Sequence, residues 1–163
     1  MHATLRDFVP ADASAVNAVA ADAWAEFRAS YTDQAVVDSN LARTAEIATT
    51  AELIVAVSHG QVVGAVGYVG PTAKRHPMFE PGWTIMRMLV VKPSARGHGV
   101  GRLLAEECVS RARRDGASFM ALHTAEIMQV ALAMYQRMGF KYLRSLPDMN
   151  GVKYALYLKS LAA

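Results

Sequence analysis

The sequence predicts a mixed α/β domain whose elements follow the order β-α-α-β-β-β-α-β-α-β-β. Three observations carry this expectation. β-rich runs are bounded by turn residues, apolar residues recur at helical spacing between them, and no repeat or Pro/Ser-rich linker divides the chain. With 163 residues, 53% hydrophobic and 19% charged, the chain has the size and composition of one globular domain spanning 1-163.

Residues 3–8 read as a short first strand. Pro10-Ala11-Asp12 then supplies a stop and a helix N-cap before the apolar-periodic stretch 13–29, and a second helical piece covers about 33–48. Residues 52–58 and 61–69 are β-rich runs separated by His59-Gly60, a hairpin signal that makes them antiparallel neighbours. Residues 70–82 carry three prolines and two glycines, which excludes regular structure and predicts a long surface loop.

Residues 83–91 form a strand closed by Pro93, 100–115 a helix ended by Gly116, and 117–123 another strand. In that helix Val100, Leu104, Cys108 and Ala112 share one face with Leu103, while Glu107 and Arg111 can pair at i,i+4 on another. A helix over 126–138 buries Ile127, Met128, Ala131, Met134, Tyr135 and Met138, ends at Gly139, and leads into strands at 140–145 and 153–158.

Composition excludes several function classes. The longest wholly apolar runs, such as 53–57, fall far short of the roughly 20 residues of a membrane span, so no membrane partner is expected. The N-terminus lacks a basic region, an apolar core and a cleavage site, which argues against secretion. Cys108 is the only cysteine, so neither a disulfide nor a cysteine-based zinc site is available, no metal is expected, and the cytoplasm is the natural home. The formal charge of +3 is mild, and Arg111, Arg113 and Arg114 read as a solvated helix face, so no nucleic-acid partner is expected.

Chemistry enters at Arg96-Gly97-His98-Gly99-Val100-Gly101. A strand, a tight turn with glycines at alternate positions and a helix directly after it make a place for phosphate. Gly97, Gly99 and Gly101 lack side chains that would block approach, and Arg96 and Arg102 add positive charge. His98 is expected to face solvent. The spacing Gly-x-Gly-x-Gly differs from that of dinucleotide folds, and no Gly-x-x-x-x-Gly-Lys-Ser/Thr is present, which removes a nucleotide triphosphatase.

The run from Met88 to Leu104 resembles the acyl-CoA-binding motif of the GNAT N-acetyltransferases, and Ala131-Leu132-Ala133-Met134-Tyr135-Gln136-Arg137-Met138-Gly139-Phe140 resembles the family's second signature. The resemblance is strong over 86–104 and 120–142 and implies a mostly antiparallel, twisted sheet of about seven strands, open between the fourth and fifth. It implies acetyl-CoA as acyl donor, its pyrophosphate held by residues 96–102, Val100 among them, and its pantetheine paired with the main chain of Leu89, Val90 and Val91. The reaction implied is direct attack by an amine, with Tyr135 as the acid that protonates the departing thiolate and the Leu89 N–H meeting the oxyanion. Met128 stands where many relatives carry an asparagine that hydrogen-bonds the cofactor, which leaves a non-catalytic CoA-binding sensor or scaffold as the rival reading.

Six residues are candidates to take the amine's proton: His76, Glu80, His123, Glu126, Glu26 and Asp33. Trp24, Phe27, Tyr31, Phe79 and Trp83 are candidates for an apolar acceptor pocket. The acceptor itself, a small-molecule amine or a peptide amine, is not legible, and self-association into a homodimer is left open.

Overall fold

A computed structural model describes residues 1–162. Seven strands form one sheet: β1 (Thr4–Asp7), β2 (Glu52–Ser58), β3 (Gln61–Val69), β4 (Thr84–Val91), β5 (Phe119–Ala125), β6 (Lys141–Ser145) and β7 (Tyr154–Ser160). Their order is β1-β2-β3-β4-β5-β7-β6, and the one parallel pair is β4 with β5. Four α-helices cover it: α1 (Ala13–Trp24), α2 (Gln34–Leu41), α3 (Val100–Arg114) and α4 (Gln129–Arg137). The expected element order and the mostly antiparallel seven-stranded sheet are both present.

The unbroken apolar run of β2 follows from coverage on both faces. Ile54 and Ala56 pack with Leu104, Cys108 and Tyr135 on the α3 and α4 side, whereas Leu53 and Val55 pack with Val16, Val19 and Leu41 on the α1 and α2 side. The β2–β3 hairpin turns at His59 and Gly60, both at positive φ (51° and 74°), as a two-residue turn matched to strand twist requires.

Helix ends depart from the sequence expectation for local reasons. α1 stops at Trp24 instead of 29, because Tyr31 turns inward to pack on Trp24 (ring centroids 5.6 Å apart) through a 3-10 turn at Arg28–Ser30. α2 stops at Leu41, where the Thr44 hydroxyl donates to the Leu41 carbonyl (2.8 Å), and Thr44–Thr49 continue as 3-10. α4 begins at Gln129, with residues 126–128 in a turn closed by the Met128 N–H on the Ala125 carbonyl (3.0 Å).

The arginine cluster of α3 is not a free solvated face. Arg111 contacts Asp7 (2.8 Å), Glu52 (2.9 Å) and Glu107 (3.0 Å), and Arg114 contacts Glu52 and Asp115 (both 2.9 Å), so α3 is tied to β1 and β2. Nor is the loop 70–82 loose: the Arg75 guanidinium donates to the carbonyls of Gly70, Ala73, Glu80 and Trp83, which draws its ends together. Among the described residues, no helix is long and apolar enough to cross a membrane.

Candidate active site

β4 and β5 pair only at Thr84↔Met120 and Ile85↔Ala121, then part. The outer edge of each strand is fully used: β4 pairs β3 up to Val91, and β5 pairs β7 along its whole length. The facing edges therefore present backbone polar groups without a partner strand, an arrangement that calls for a ligand or solvent. A bulge deepens the parting. The β3–β4 register slips between Ala65 and Gly67, and Met88 lies at φ 54°, rare for a residue with a side chain.

Past β4, a short 3-10 turn at Pro93–Ala95 leads into the glycine turn. Gly97 and Gly99 sit at φ 80° and 79°, in the left-handed region, so glycine is required there by conformation. Gly101 lies inside α3, and a Cβ on it would meet Val91 and Met134 at ordinary contact distances of 3.6 and 3.9 Å. The first bond of α3 runs from the Leu103 N–H to the Gly99 carbonyl (3.0 Å). Among the described residues, none of the backbone N–H groups from 97 to 102 donates to another protein backbone group. These six N–H groups lie at the positive end of the α3 dipole and are left for a ligand or solvent, a setting in which an anion such as a diphosphate would be held.

The flanking arginines also make contacts within the protein. Arg96 is bound to Glu26 (2.5 Å) and to the Ala23 carbonyl (3.0 Å), which fastens the turn to α1, and Arg102 pairs with Glu106 at 2.7 Å. His98 is exposed, as expected. Leu89 and Val91 pack toward α3, and Val90 (2% exposed) packs toward α1, with Leu89 also lining the gap.

The parted strands open on a cavity of about 640 Å³. Tyr135, from α4, lines it at 7% exposure, with Phe140 edge-on at 5.9 Å. Burial drives the Tyr135 phenol well above its ordinary value, and Cys108 adds to this, so it stays protonated. Met128 lines the same cavity, with the Thr124 hydroxyl directed at its sulfur (3.9 Å).

Of the six candidate bases, His123 alone reaches the cavity. It lies between Phe79 (5.9 Å) and Tyr154 (5.6 Å), and burial first, then the Arg87 charge, lowers its pKa to about 4. Glu26 is committed to Arg96, Asp33 caps α2 by accepting the Val36 N–H (3.2 Å), and the His76 Nδ1 accepts the Met78 N–H (3.1 Å). Glu80 and Glu126 are exposed outside the cavity.

Trp24 and Tyr31 line the cavity, but Phe27, Phe79 and Trp83 do not. Phe79 and Trp83 pack instead against Ile85 and Leu156, in a separate cluster beneath the 70–82 loop. Tyr154, Arg43, Glu46, Arg87 and Asn150 line the cavity without having been singled out. Arg87 carried a signal, being the one charge in an otherwise uncharged strand. The Tyr31 and Tyr154 hydroxyls share a 2.5 Å hydrogen bond, and Asn150 Oδ1 takes the Thr32 hydroxyl (2.7 Å) and the Asp33 N–H (2.6 Å), which closes the wall.

Comparison with known proteins agrees with this architecture. An N-acetyltransferase from Staphylococcus aureus superposes with a TM-score of 0.75 at 20% identity, covering 99% of this chain and 100% of that one. An acetyltransferase from Salmonella typhimurium, solved with its cofactor acetyl-CoA, gives 0.70 at 17% identity, covering 98% and 94%. In sequence, an uncharacterised N-acetyltransferase of Schizosaccharomyces pombe is 33% identical over 89 residues, 55% of this chain and 50% of that protein. An IAA acetyltransferase of Azospirillum brasilense is 34% identical over 61 residues, 37% and 40% of the respective chains. The chain thus spans half or less of the length of these curated relatives. The acetyltransferase (GNAT) family model matches residues 16–140, and the chain belongs to that family.

Proposed function

We propose that the protein is an acetyl-CoA-dependent N-acetyltransferase acting on a primary amine by direct attack. The observation that carries this is the set of six free N–H donors at residues 97–102, placed beyond the parted edges of β4 and β5. Acetyl-CoA would supply a thioester acyl group. Residues 97–102 bind its pyrophosphate, and the main chain of Leu89, Val90 and Val91 aligns its pantetheine arm along the unpaired edge of β4. The Leu89 N–H, next to the Met88 bulge, receives the negative charge that grows on the acyl oxygen as the amine attacks. Tyr135, held protonated by burial, gives its proton to the departing thiolate as the C–S bond breaks, and the phenolate, the stronger base of the two, regains a proton from solvent. The amine's proton passes to water, directly or by way of His123, the one of the six candidate bases that lines the cleft.

The test follows free thiol when the protein is incubated with acetyl-CoA and a panel of small amines and peptides. Amine-dependent thiol release is expected. Tight CoA binding with no release for any amine would turn the reading toward a CoA-binding sensor.

A further inference from the structure

Two guanidiniums that line the cavity, unlike six of the chain's ten other arginines, pair with no carboxylate among the described residues. Arg6, Arg28, Arg96, Arg102, Arg111 and Arg114 are each matched with a carboxylate. Arg87 and Arg43 both line the cavity, and neither pairs with a carboxylate among the described residues. Arg43 makes only long, neutral contacts, to the Ser39 carbonyl (3.4 Å) and the Asn40 Oδ1 (3.3 Å). Glu46, the one carboxylate lining the cavity, pairs with neither. Such a site attracts an anion and repels a polycation.

The fold makes room for this arrangement. Gly67 lies opposite Arg87 in the β3–β4 register, and a Cβ on it would stand 2.9 Å from Ile47 Cγ2 and 3.6 Å from the Arg87 Cβ. A bare glycine therefore lets Ile47 close over the sheet while Arg87 projects beside it. Continued past Ile85↔Ala121, the β4–β5 register sets Arg87 opposite His123 across the gap. Arg87 also stands two residues before Leu89, across the Met88 bulge. The phosphate turn lies off the other end of β4, beyond Val91, so the cofactor's diphosphate does not account for Arg87. The cavity also offers apolar surface from Trp24, Tyr31, Ile47 and Tyr154, beside polar groups such as Asn40, Thr44 and Thr50.

We propose that the acceptor is a compact amine carrying its own anionic group, an α-amino acid with an apolar side chain, whose anion is bound by Arg87 and Arg43 while its amine faces Leu89. This rests on the acetyl-transfer reading, and Arg87 is its specificity-determining residue. The shared chemistry is an amine bearing an anion, so an aminophosphonate would also be accepted.

The experiment compares kcat/KM for L-phenylalanine and L-methionine with their carboxamides, with phenethylamine, and with the phosphonate analogue of phenylalanine. The carboxamide amine loses its proton more readily, so preference for the acid runs against intrinsic reactivity. The acids are expected to be better by at least about tenfold, the range of a charge-assisted hydrogen bond. Arg87→Met should bring the acid-to-amide ratio near one, and Arg43→Met should reduce it. Equal or better turnover of the amides and phenethylamine, or a ratio unmoved by both variants, overturns the proposal and leaves acetyl transfer standing.

Binding is read separately in a Trp83→Phe background, where Trp24 is the sole tryptophan and its fluorescence reports the cavity. Acid-selective quenching that Arg87→Met abolishes, without thiol release, upholds anion recognition and sinks the transferase reading. Quenching by neither acid nor amide overturns the proposal.

Discussion

Tyr135 and His123 face one cavity, and burial moves them in opposite directions because it always disfavours the charged form. For Tyr135 the result is a phenol that remains a proton donor, held by packing against Phe140 and by no hydrogen bond of its own. Tyr135→Phe should therefore leave the thermal midpoint almost unchanged while kcat falls about 100-fold, the usual worth of one general acid. Undiminished turnover would remove Tyr135 from the mechanism. His123 also contributes to stability. Its folded pKa of about 4 lies below the unfolded value near 6.5, so the folded state prefers the neutral ring. The associated stability is complete above about pH 6.5 and drains away as pH falls toward 4, at most about 3 kcal/mol and less for the part of the ring that meets solvent. Urea unfolding at pH 7 and pH 4.5 should show a smaller loss in His123→Phe than in the parent. Equal losses would mean that the imidazole is not what titrates.

At the scale of elements, the turn into α3 separates three glycines that look equivalent in sequence. Alternation correctly marked the turn, because left-handed φ at Gly97 and Gly99 is a local requirement that residue type reveals. It could not separate Gly101, whose helical backbone has room for a methyl group. Gly97→Ala and Gly99→Ala should each cost about 1–2 kcal/mol and weaken CoA binding, whereas Gly101→Ala should gain up to about 1 kcal/mol from helix propensity. Urea melts with calorimetric CoA titrations check both, and a destabilising Gly101→Ala would contradict the placement of that Cβ. The same turn shows what sequence leaves out about the arginines. Charge near a phosphate turn suggests ligand binding, yet Arg96 spends its donors on Glu26 and Ala23, seventy and more residues away in sequence. Helix ends were misjudged for a similar reason. The sequence extends the helices through 25–29 and 42–48, but Tyr31 turning into the core and the Thr44 hydroxyl on the Leu41 carbonyl end them earlier.

The whole molecule was legible wherever one segment suffices: the strand–hairpin pattern, the two motifs and the element order. The acceptor wall was not, because it is made by pairs such as Tyr31 with Tyr154 and Thr32 with Asn150, which lie 123 and 118 residues apart. No periodicity encodes those contacts, and they exist only once the sheet has brought β7 beside β5. The same long-range assembly seals Cys108. That residue is 0% exposed on the inner face of α3, in a cluster with Ile54, Tyr68 and Leu104, and burial pushes its thiol pKa far above the usual value. Lifting α3 away would break the Arg111 and Arg114 contacts to Asp7 and Glu52 and expose its apolar inner face, so exposure of the thiol is expected to require global unfolding. Alkylation of Cys108 by iodoacetamide should thus be very slow in buffer. As urea is added, its rate should rise with the full equilibrium m-value of unfolding. A rate that is fast in buffer, or nearly independent of urea, would mean that α3 opens alone, and the charge network would then not be what fastens it to β1 and β2.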